Sequence, residues 1–73
     1  MARSKVRFTA GAMGGLQARW DGSEMSLVWF GTGSAVYLVM PSGSLVRVDS
    51  LPAPTEARDA RRLMAQWIGE GSR

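Results

Sequence analysis

Between Leu16 and Val48, short apolar runs alternate with turn residues, and no run has the length or the 3.6-residue spacing of a helix. A segment built this way folds most simply as an antiparallel meander. Leu16-Gln17-Ala18-Arg19-Trp20 alternates in character and is followed by Asp21-Gly22, a pair that tolerates positive φ and so favours a hairpin turn. Glu24 to Phe30 reads as the returning strand and Gly31-Thr32-Gly33-Ser34 as the second turn. Ala35 to Met40, uncharged and rich in β-branched and aromatic residues, reads as the central strand. Pro41-Ser42-Gly43 forms a third turn before Leu45 to Asp49, where Val46 and Val48 oppose Arg47 and Asp49.

Pro52 and Pro54 end the sheet, because proline cannot donate to a ladder. A helix is predicted to follow, with Thr55 as N-cap and Glu56 and Asp59 near its positive end. Ala60, Leu63, Met64, Trp67 and Ile68 recur at helical spacing as one apolar stripe, and Gly69 is placed to stop it. The expected fold class is therefore α+β: an antiparallel β-meander of about four strands with one C-terminal amphipathic helix. Trp20, Leu27, Trp29 and Val48 are the expected receiving surface. One helix covers one sheet face, which leaves Val28, Phe30, Tyr37 and Val39 over. The sheet then either curls into a half-barrel or offers its second face as an interaction surface.

Three units follow along the chain. Residues 1–15 form a basic N-terminal arm or edge strand with a hinge at Gly11, Gly14 and Gly15; residues 16–69 form a single α+β domain; residues 70–73 form a frayed tail. A chain of 73 residues buries only about 60% of its unfolded surface. It contains no cysteine and no histidine, so disulfides, thiolate sites and imidazole ligands are all excluded. Packing must hold the fold, at roughly 3–5 kcal/mol. The longest mainly apolar run, Leu27 to Met40, is interrupted at Gly31 to Ser34, and the basic start is not followed by an apolar segment. No membrane association is expected; the cytoplasm is the default compartment.

The residues for catalysis are missing. Without histidine, acid–base chemistry would fall to paired carboxylates, and the near pairs, Asp21 with Glu24 and Glu56 with Asp59, have ordinary roles beside a turn and in a first helical turn. The glycine-rich stretches match no phosphate-binding loop. The chain is expected to be non-enzymatic and to need no cofactor or metal.

Nine Lys and Arg stand against six Asp and Glu, a net charge of +3. Arg3, Lys5 and Arg7 crowd the first residues, and Arg58, Arg61 and Arg62 crowd the helix, where they also read as a solvated outer face. In the arm, Lys5-Val6-Arg7-Phe8 puts two cations on one side of an extended chain and two apolar residues on the other. Such a segment either adds to a partner's sheet, with charge steering and Val6 and Phe8 locking, or forms an edge strand of its own sheet. A competing reading uses the aromatic residues and arginines of the sheet to bind single-stranded nucleic acid.

The opening Arg3-Ser4-Lys5-Val6-Arg7-Phe8, the run Arg19-Trp20-Asp21-Gly22 and the helix end Met64-Ala65-Gln66-Trp67 together make the chain resemble small lytic-phage transcription regulators that bind host RNA polymerase. The resemblance implies a non-catalytic protein, a monomer when free, that occupies the N-terminal region of the polymerase β′ subunit. It also implies inhibition of initiation through disturbed σ-factor and promoter engagement, and antitermination. Nucleic acid would be contacted weakly or indirectly. The implied contact set is Arg3, Lys5, Val6, Arg7 and Phe8, with Arg19 added from the first hairpin.

Overall fold

A computed structural model describes residues 5–71. Five strands, β1 (Val6–Ala10), β2 (Leu16–Trp20), β3 (Ser26–Trp29), β4 (Val36–Val39) and β5 (Leu45–Arg47), precede one helix, α1 (Ala57–Gly71). All neighbours are antiparallel and the spatial order is the chain order, a meander. The fold is α+β, with the arm's Val6–Ala10 segment as a fifth strand beside the four expected. The sheet is not closed into a barrel; β1 and β5 are its edges.

Register sorts the side chains into two faces. Phe8, Ala18, Leu27, Leu38 and Val46 form one row across the sheet, and Ala10, Leu16, Trp29 and Val36 form the next row on that face. This is the face that α1 covers. Ala18, Leu27, Trp29, Val36 and Val48 are buried there with Ala60, Met64 and Ile68 of the helix, and Trp20, Leu38 and Trp67 pack around them. Fully burying side chains such as Leu27 and Met64 contributes about 1.5–3 kcal/mol each. Ala18 of β2 and Ala60 of α1 are both fully buried, and the helix lies chiefly on β2, with β1 beside it. Trp20 and Trp67 meet edge to face, 6.3 Å between centroids.

The loop from β5 to α1 is tied to the core by buried Val48 and, nearer the helix, by the Pro54 carbonyl. Pro54 C=O accepts the Trp29 Nε1–H at 3.2 Å and the Gly33 N–H, also at 3.2 Å. Buried Trp29 thus has its polar group satisfied where the helix begins.

Several local details differ from expectation. The first hairpin connection spans residues 21–25, longer than a two-residue turn, although Gly22 does take φ +80°. Ser23 Oγ accepts the Met25 N–H at 3.0 Å and organises that loop. The hinge holds a 3₁₀ turn, Ala12–Gly14, and Gly15 is required by contact: a Cβ there would collide with the Trp29 carbonyl. The first helical bond runs from Ala60 N–H to Glu56 C=O, so Glu56 holds the cap position expected of Thr55. The helix also passes through Gly69 to Gly71, across the predicted stop and into the predicted tail. Docking of Ile68 and the Gln66–Glu70 bond, 3.4 Å from Nε2 to Oε2, hold the turn around Gly69.

Candidate functional site

The uncovered face carries the rows Arg7, Arg19, Ser26, Val39, Leu45 and Thr9, Gln17, Val28, Tyr37, Arg47. Its cations gather toward the β1–β2 corner. Arg7 and Arg19 are direct cross-strand partners, and exposed Lys5 immediately precedes β1. Arg7 is held by Asp21, Nη1 to Oδ1 at 3.0 Å, with both side chains more than half exposed. Among the described residues, Lys5 and Arg19 have no carboxylate within 4.0 Å. A shallow groove of about 460 Å³ lies alongside, between Arg7, Arg19, Glu24, Ser26 and Met40.

The other predicted contact residues lie elsewhere. Val6 and Phe8 point to the helix face, where they are half-buried and packed against the core. The guanidinium of Arg61 lies over the Phe8 ring, 5.0 Å from its centroid. Arg3 falls outside the described residues. The Val6–Ala10 part of the arm is thus an edge strand whose apolar side serves its own core and whose basic side faces solvent. Arg61 as the clamp on Phe8 was missed in the sequence; the available signal was its place next to Ala60, at the margin of the apolar stripe. Its neighbours behave as a solvated helix face, Arg58 near Glu56 at 3.7 Å and Arg62 near Asp59 at 3.6 Å.

The free edge of β1 follows from two bonds. Asp21 N–H donates to Lys5 C=O at 3.2 Å, and Gly11 N–H donates to Gly15 C=O at 3.0 Å. In an antiparallel ladder, bonded positions alternate, so Arg7 and Thr9 also turn their backbone groups toward β2. Val6, Phe8 and Ala10 therefore present N–H and C=O groups outward. At the opposite edge, Met40 N–H to Ser44 C=O and Val48 N–H to Val36 C=O, both 2.9 Å, leave Leu45 and Arg47 outward. Leu45 and Val46 are about half exposed there.

Among the described residues no three metal-ligating side chains lie together, and no helix is long and apolar enough to cross a membrane. The chain matches no protein-family model, no curated protein and no solved structure.

Proposed function

We propose that this chain is a non-catalytic regulator that binds bacterial RNA polymerase, with Lys5, Arg7 and Arg19 as the charged part of the contact. The observation that carries the binding reading is the cationic corner: Arg19 stands opposite Arg7, which Asp21 pairs, and among the described residues Arg19 has no carboxylate within 4.0 Å, beside exposed Lys5. Like charges directly opposite on a sheet are destabilising. A free domain that keeps such a pair gains from a partner bringing carboxylates to it. The identity of the partner rests on the resemblance drawn from the sequence, and so do the β′ N-terminal target, inhibition of initiation and antitermination. Because Val6 and Phe8 are partly buried in the core, the charged residues are the appropriate ones to change. The test is capture from nuclease-treated bacterial lysate by the wild type and by a Lys5→Glu, Arg19→Glu variant. Polymerase subunits are expected with the wild type alone; their absence from both overturns the polymerase assignment.

One observation favours the single-strand reading as a second possibility. On the uncovered face Phe30 and Tyr37 form an aromatic pair, 5.7 Å between centroids, and Arg47 is the cross-strand partner of Tyr37. Bases stacked on this pair, with their phosphates against Arg47 and the Lys5, Arg7 and Arg19 corner, would give an affinity that falls steeply with salt through the phosphate contacts, which a titration with oligothymidylate measures.

A further inference from the structure

We infer that the β1 edge takes an extended, acidic segment of a protein partner as a sixth strand, deepening the binding reading above, on which it rests. The outward N–H and C=O groups of Val6, Phe8 and Ala10 are a hydrogen-bonding template that spans the five residues of β1. An added strand would send alternate side chains to the two faces. On the uncovered face it would meet Lys5, Arg7 and, one strand further in, Arg19. On the helix face it would meet the accessible flanks of Val6 and Phe8 and the Arg61 guanidinium over the Phe8 ring. The matching sequence alternates acidic with apolar residues, the acids on the uncovered side.

Charge also excludes the simplest rival occupant. Pairing β1 with β1 of a second copy would bring two sets of Lys5, Arg7 and Arg19 onto one sheet face, an arrangement of like charges that opposes association. The other edge is the weaker template. β5 has three residues, turns only Leu45 and Arg47 outward, and its Arg47 already has Asp49 at 3.5 Å.

The test uses the ¹⁵N-labelled full chain and a blocked nine-residue peptide of alternating glutamate and valine, with amide hydrogen exchange read residue by residue. At saturating peptide, exchange at Val6, Phe8 and Ala10 is expected to slow by about tenfold or more, with Leu45 and Arg47 unchanged. Arg19→Glu is expected to weaken the peptide several-fold. Ala10→Pro removes an outward donor at an exposed edge position, where proline is accepted, and is expected to weaken it with the Trp29 amide environment unchanged. Unchanged exchange at the three β1 amides overturns the inference. So does slowing at Leu45 and Arg47 instead, protection that grows with protein concentration without peptide, or equal binding of a lysine–valine peptide. Perturbation of Arg19 by oligothymidylate but not by the peptide assigns the corner to nucleic acid and overturns it as well. The two readings fail separately. Polymerase capture that survives Ala10→Pro keeps the regulator and removes the added strand; protection of the β1 amides without polymerase capture keeps the strand site and removes the named partner.

Discussion

Arg7 and Arg19 stand directly opposite one another across the β1–β2 ladder, and among the described residues only Arg7 of the two has a carboxylate, Asp21 at 3.0 Å. Replacing Arg19 with glutamate turns a repulsive cross-strand pair into an attractive one. Arg19→Glu is expected to stabilise the free domain by roughly 0.2–1 kcal/mol, an effect that shrinks at high salt, and to reduce partner capture. Urea denaturation at two ionic strengths, beside the capture assay, measures both. A loss of stability would show that Arg19 is held by something other than its geometry with Arg7.

Trp29 combines near-complete burial with the bond to Pro54 C=O. Trp29→Phe removes that donor and leaves unfilled volume, while Gly33 N–H still satisfies the carbonyl. The expected cost is about 2–3 kcal/mol, a large share of the stability of so small a domain, read as a lower denaturation midpoint.

The β1–β2 connection separates strain from contact. Met13 is 84% exposed and sits at φ 58°, where a side chain is disfavoured, so Met13→Gly is expected to stabilise by roughly 0.5–1 kcal/mol. Gly15→Ala, two residues on, drives a Cβ into the Trp29 carbonyl and is expected to cost several times as much. Thermal melts of the two variants should move in opposite directions.

Arg61 holds β1 to the helix through the face of Phe8. Arg61→Ala is expected to cost about 0.5–1 kcal/mol, concentrated locally. Exchange at the Arg7 and Thr9 amides, which face β2, should accelerate more than exchange at Leu27 in the central strand.

The sheet and helix were legible because they rest on local signals: period-two alternation in 16–20, glycine turns, and the stripe from Ala60 to Ile68. The division of the meander was legible too, with Trp20, Leu27, Trp29 and Val48 on the helix face and Val28, Phe30, Tyr37 and Val39 on the other, where Val28 is nonetheless buried. Helix ends were less so, since the cap at Glu56 and the continuation past Gly69 depend on tertiary docking and on the Gln66–Glu70 pair. For the candidate site, alternation separated Lys5 and Arg7 from Val6 and Phe8, but it could not say which protein's core the apolar pair joins. Nor could it place Arg61 over Phe8 or Arg19 opposite Arg7, because both depend on pairing between distant segments.

The helix that covers Leu27, Trp29 and Val36 is made after the whole of the sheet beneath it. During synthesis the meander's greasy face emerges well before its lid: from Val36 to Ile68 the ribosome needs roughly 2–6 s at ordinary elongation rates. For that interval the nascent sheet is a substrate for chaperones and a sticky neighbour for other chains. Conditions that slow translation through the Pro52–Pro54 stretch would lengthen that exposure and lower the yield of folded protein, with no change in the stability of the finished molecule.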